Sequence, residues 1–199
     1  DFTITNGSVT SDVGGGMSIE GGATVQIENV RFDGNAAPSP GASAGGGLAI
    51  AGSTVTVQNS IFANNTSYGA GGGIYAISGA NVTVENTTFD SNITSPTVGS
   101  GMHVEGGATV ATVRRSTFKQ NNLGAYTNFN ATSTLENSTI SFTGSGSTSE
   151  VINSGGSLTI NNSTIRASAR AGADALRNFG GGTLTVSNSI IQGGDTLGC

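Results

Sequence analysis

The feature that most constrains this chain is an internal repeat, in which the unit apolar, x, apolar, x, Asn, small, x, apolar recurs along its whole length. The first copies are Phe2-Ile4-Asn6-Val9, Val25-Ile27-Asn29-Phe32, Val55-Val57-Asn59-Phe62 and Val82-Val84-Asn86-Phe89. Ala111-Val113-Arg115-Phe118, Ser133-Leu135-Asn137-Ile140, Leu158-Ile160-Asn162-Ile165 and Leu184-Val186-Asn188-Ile191 bring the number to eight. Successive copies lie 22 to 30 residues apart. That period suits one solenoid coil per repeat, each coil burying its apolar face only against its neighbours.

Each unit has an upstream piece, seen as Gly14-Gly15-Gly16-Met17, Gly45-Gly46-Gly47-Leu48, Gly71-Gly72-Gly73-Ile74 and Gly99-Ser100-Gly101-Met102. Tyr126, Val151 and Leu176 fill the same apolar slot later. A second Asn closes four Phe-x-x-Asn units at Asn35, Asn65, Asn92 and Asn121, and Pro38, Pro40 and Pro96 fall just beyond such units. Proline is excluded from a central ladder, so these positions mark the loop edge of each coil. With 33 Gly in 199 residues, and Val, Ile and Thr in the periodic segments, helices are disfavoured.

Alternation in Val55-Thr56-Val57 and Val82-Thr83-Val84 turns the valines inward and the threonines outward. The expected fold is all-β: a right-handed parallel β-helix of about eight stacked coils. Residues 1–199 form a single domain, with Phe- and Gly-rich coils over 1–121 and tighter Ile-type coils over 122–199. Phe32, Phe62, Phe89 and Phe118 should stack into one column that passes into Ile140, Ile165 and Ile191. Asn6, Asn29, Asn59, Asn86, Asn137, Asn162 and Asn188 are expected to form an inward amide ladder. Arg115 interrupts that ladder, so its coil should be locally irregular.

The Gly-Gly-x-apolar and Phe-x-x-Asn units over residues 14 to 121 resemble the repeats of chlamydial polymorphic outer-membrane proteins. Leu-Thr-Ile-Asn-Asn-Ser-Thr-Ile at 158 to 165 and Leu-Thr-Val-Ser-Asn-Ser-Ile-Ile at 184 to 191 are similar to bacterial surface β-helices of the choice-of-anchor type. These resemblances imply exported stalks or passenger domains that display loops and adhere to surfaces. The expectation is a non-catalytic extracellular or cell-surface module. Its partners would be a second copy, joined head to tail into a filament, or glycans and proteins of a host or cell surface.

Glycan-cleaving enzymes share this fold, which makes a carbohydrate-active lyase or hydrolase the alternative. Asp33 and Asp90 occupy one place in coils two apart, about 10 Å by the strand spacing. That approaches the separation of an inverting carboxylate pair, but Ala63 stands between them and solvated turn residues are the simpler reading. Glu28, Glu85 and Glu136 form a sparse lane with Gln58 and Arg114. His103, the single imidazole, should point outward and lie exposed, with no orienting acid.

A third reading is ice binding through an outward Thr column: Thr3, Thr56, Thr83, Thr112, Thr134, Thr159 and Thr185, interrupted by Gln26. Ten Asn-x-Ser/Thr sequons occur, of which those at Asn6, Asn86, Asn137 and Asn162 should be shut inside the ladder. Asn81, Asn64 and Asn92 are the expected accessible ones. Neither the Gly runs nor the single Cys199 makes a calcium, phosphate or metal motif, and no cofactor is expected. Dispersed basic residues and a net charge of −5 give no nucleic-acid footprint, and no apolar run is long enough to insert in a membrane as a helix. Early acids and late Arg166, Arg170 and Arg177 give the ends unlike charge, which favours head-to-tail contact.

Overall fold

The computed structural model describes residues 2–40, 44–95, 99–141, 149–167 and 174–193; Arg170, Pro96 and Cys199 fall outside these. Among the described residues the strands form sheets of eight, seven, seven and three members. Their pairings are parallel, each strand lying on its counterpart one coil away. The chain is an all-β parallel solenoid of about seven turns. Each turn carries three sides: a Gly-side strand such as Ile74–Ile77, a Val strand such as Asn81–Glu85 and a Phe strand such as Thr88–Asp90.

The turn count is one short of the repeat count because the first copy belongs elsewhere. Phe2–Thr5 pairs with Val30–Asp33, placing Phe2 beside Val30 and Ile4 beside Phe32, so it is a Phe strand. Alternation alone cannot tell which side of a coil a strand occupies. Asn6 accordingly shares its place with Gly34, Asn64, Ser91 and Gln120, all with φ between 55° and 66°.

The expected inward Asn column is overturned. Asn29, Asn59, Asn86, Asn137, Asn162 and Asn188 are exposed corner residues with φ of 47° to 57°. A single left-handed residue turns the Val strand into the Phe strand, and Asn tolerates that conformation better than most residues. The inward place belongs to the next residue. Ser60 accepts the Val30 N–H at 3.2 Å and donates to the Gln58 carbonyl at 2.7 Å. Ser116, Ser138 and Ser163 repeat this arrangement, and Thr87 donates likewise to the Glu85 carbonyl, forming a buried hydroxyl column.

Arg115 holds the same corner with φ 50°, and its N–H reaches the Glu136 carbonyl at 3.0 Å. The expected irregularity is absent, because an outward side chain makes no demand on the packing. The sequons at Asn6, Asn86, Asn137 and Asn162 are likewise exposed, whereas Asn92 is buried.

The amide ladder lies at the second Asn instead. Asn65 Nδ2 donates to Asn92 Oδ1 at 3.0 Å and to the Phe32 carbonyl at 3.0 Å, while the Asn65 N–H also reaches Asn92 Oδ1 at 3.1 Å. Asn35 and Asn92 bond their own successors in the same way. Beside them stack Phe32, Phe62, Phe89 and Phe118, with centroids 4.3 to 5.2 Å apart and near-parallel rings. Tyr126 closes that stack edge-on at 6.2 Å. Ile140 and Ile165 continue the column in register. Backbones crowd at the Gly triplets: a Cβ on Gly46 would lie 2.5 Å from the Thr66 carbonyl oxygen.

Candidate functional site

With inward positions committed to stacks and ladders, chemistry falls to the outer faces. The Val-strand face is the most regular of them. Thr56, Thr83, Thr112, Thr134, Thr159 and Thr185 are in register on consecutive strands, preceded by Gln26. Thr3 does not belong to this column; it lies beside Arg31 on the Phe side. A second column runs alongside as Thr24, Thr54, Asn81, Val110, Thr132, Ser157 and Thr183. Both columns are uncharged. Rungs at about 4.8 Å make the pair a strip roughly 29 Å long.

Charge begins at the next column, where Glu28, Gln58, Glu85, Arg114 and Glu136 are in register. Glu85 is buried and binds Arg114 Nη2 at 2.9 Å, Arg115 Nη2, and Gln58 Nε2 at 3.4 Å. Arg115 therefore replaces the corner Asn with one half of a two-arginine clamp. The corner Asn residues lie exposed beside it, as at Asn86 Nδ2 to Asn59 Oδ1, 3.3 Å.

Asp33 and Asp90 lie on the Phe-strand face with Ala63 between them in register. Each is already engaged. Asp33 accepts from Asn64 Nδ2 at 2.9 Å and from Arg31 Nε at 3.0 Å, and these bonds hold its carboxyl below the usual carboxylate range. Asp90 pairs with Lys119 at 3.1 Å and accepts from the Ser91 hydroxyl at 2.9 Å. A general acid needs a raised pKa, the opposite of what surrounds Asp33.

His103 faces outward between Met102 and Val104 but is buried, contrary to its expected exposure. Gly99 folds back over it, so close that a Cβ there would lie 2.9 Å from the His103 Cβ. It does have an acid partner: Nε2 lies 3.6 Å from Glu105 Oε2, which also accepts from the Tyr75 hydroxyl at 2.7 Å. His103, then Tyr75, lower the Glu105 pKa, while burial and Glu105 raise that of Tyr75. His103 Nδ1 and the hydroxyl of Thr127, its register neighbour, are buried without hydrogen-bond partners. The imidazole is closed to a substrate. Sequence reasoning missed this trio because Tyr75 and Glu105 are 30 residues apart and meet only through coil stacking.

Among the described residues, no cluster of three or more His, Cys, Asp or Glu side chains is arranged to hold a metal ion. No helix among the described residues is long and apolar enough to cross a membrane. A family model described as the right handed beta helix region matches residues 1–140 and 68–199. Among curated proteins, none matches the chain.

Proposed function

Because the chain belongs to the right-handed beta-helix family, we propose that it acts outside the cell as a non-catalytic structural or adhesive module, a rigid rod that presents its outer faces to other surfaces. The observation that carries this reading is the state of the acids. Asp33, Asp90 and Glu85 are each held by cations, and the one imidazole is covered. The regular outer strips offer contact area in register from rung to rung. The resemblance to chlamydial polymorphic outer-membrane repeats and choice-of-anchor surface proteins supports the same placement at a cell surface.

The test is incubation with a panel of plant, fungal and bacterial polysaccharides, following new reducing ends and unsaturated sugar products. The expected result is no turnover. Turnover abolished by Asp33→Ala or Asp90→Ala would replace this reading with a carbohydrate-active enzyme. Protease shaving of intact producing cells should release the domain, and protection until lysis would contradict an external location.

The in-register Thr column favours ice binding as a second reading, since it repeats one hydroxyl and one methyl at every rung. Thermal hysteresis lost on Thr83→Tyr would support it. Head-to-tail association would draw on the unlike charge of the early acids and the late Arg166 and Arg177. Sedimentation at high concentration and low salt should then show oligomers, and a strict monomer would count against self-association.

A further inference from the structure

Large exposed apolar side chains on the Gly-side sheet gather in one column. Phe129 and Phe179 are 40% and 44% exposed, although the chain has only eight Phe in all. Glu105, Phe129, Ser154 and Phe179 follow one another in register on four consecutive strands. Ser154, small and buried, leaves a notch between the two rings. The order along the solenoid axis is carboxylate, ring, notch, ring.

The polar groups of this lane are set in advance. Glu105 is fixed by the Tyr75 hydroxyl at 2.7 Å and by His103, and it stays ionised to lower pH than an ordinary carboxyl. The Arg177 guanidinium sits 4.9 Å above one face of the Phe179 ring, a cation–π contact that holds the ring in place. Exposed aromatic rings on rigid strands offer apolar contact area at little entropic cost, and an ionised carboxylate accepts strong hydrogen bonds from hydroxyls.

We infer that this column is a glycan-docking lane for a linear β-1,4-linked hexose chain lying along the solenoid axis. The rings stand two rungs apart, about 9.6 Å. In an extended β-1,4-linked chain each sugar is flipped relative to the last, so the same sugar face returns every second residue, at about this distance. Two apolar sugar faces thus meet Phe129 and Phe179, and the intervening sugar spans the Ser154 notch. A further sugar brings its hydroxyls to Glu105. An α-linked chain curls and does not repeat on a straight line of rungs. This assignment rests on the non-catalytic reading, because it supplies recognition and no bond cleavage.

The test uses the whole chain and three probes, cellohexaose, chitohexaose and maltohexaose, in titration calorimetry with chromatography of the recovered sugar. A β-1,4-linked probe should bind in preference to maltohexaose. Phe129→Ala and Phe179→Ala should each weaken that binding about tenfold, and the double variant should abolish it. Glu105→Gln should weaken it less, whereas Tyr68→Ala, an exposed ring off the lane, should leave it unchanged. Failure of both β-1,4-linked probes, equal binding of maltohexaose, or binding indifferent to loss of both rings would overturn the lane. Recovery of shortened probe with ring-dependent binding intact would keep the lane and overturn the non-catalytic reading. Both Phe side chains are exposed, so their removal leaves the fold in place for the comparison.

Discussion

Up to Asn121 a buried amide ladder runs beside the phenylalanine stack; from Tyr126 onward an equivalent ladder runs at a different corner of the coil. The early ladder, Asn35 to Asn121, accepts backbone N–H groups as well as side-chain amides. The later one links Asn128, Asn153 and Asn178, with Nδ2 to Oδ1 distances of 2.7 Å. It replaces Ile50, Ala76 and Val104, which hold the same inward column earlier.

The cause lies in coil length. Corner residues 29, 59, 86 and 115 are 27 to 30 residues apart, and 115, 137, 162 and 188 are 22 to 26 apart. Three of the longer coils hold an extra short strand, Ala36–Ala37, Thr66–Ser67 and Ile93–Thr94. The early ladder secures the corner leading into it. Asn122 then ends that sheet in place of a further strand: its Oδ1 accepts the Thr94 N–H at 2.9 Å, and its Nδ2 donates to the Thr94 carbonyl at 3.0 Å. Once the extra side is gone, the buried polar backbone needing partners is at the next corner, where Asn128 and Asn153 reach the Ala131 and Gly156 carbonyls. Buried amides follow orphaned backbone groups.

Substitutions that separate the two regions should be largest in the early coils. Phe89→Ala removes a ring stacked on both sides and should cost about 4 kcal/mol by denaturant unfolding, whereas Ile165→Val should cost about 1 kcal/mol. Asn92→Ala strips the Asn65 N–H and side-chain amide of their acceptor and the Phe62 carbonyl of its donor, for about 3 kcal/mol. Asn153→Ala should cost less, about 2 kcal/mol, because no backbone N–H depends on it. Equal costs would erase the distinction between the ladders.

Smaller effects sharpen the outer-face account. Glu105 has a lowered pKa when folded, so it contributes stability above its unfolded pKa and loses it as pH falls through the lower folded value. Glu105→Gln should flatten that part of the acid unfolding curve, and an unchanged curve would show that the Tyr75 and His103 contacts do not form. Arg115→Asn should shift stability by no more than about 0.5 kcal/mol, because Asn suits the corner and Arg114 still pairs with Glu85. A large loss would restore the expectation that this coil is exceptional.

The repeat made the solenoid, the Phe column and the Thr column legible, since each needs only a fixed position within a period. What it concealed was direction at the corners. In Val55-Thr56-Val57-Gln58-Asn59-Ser60, strict alternation continued through Gln58 turns Asn59 inward. The left-handed φ of 50° at Asn59 breaks that alternation and gives Ser60 the inside place. The signal in the repeat is the Ser or Thr that follows Asn59, Asn86, Asn137, Asn162 and Asn188. The side taken by Phe2–Thr5 is hidden for a related reason: its alternation fits either strand, and only the pairing of Ile4 with Phe32 decides. The Tyr75, His103 and Glu105 group and the Phe129 to Phe179 lane join side chains from successive coils, and no local motif records such neighbours.

Ladders and stacks fill the interior, with one set of asparagines sealed inside and another at the corners outside. Hydrogen exchange of assigned Asn side-chain amides, followed by NMR, reads this directly. Slow exchange is expected for the Nδ2 protons of Asn35, Asn65, Asn92, Asn128 and Asn153, and fast exchange for those of Asn29, Asn59, Asn137 and Asn162. Protection of the corner set, or uniformly fast exchange in both, would contradict it.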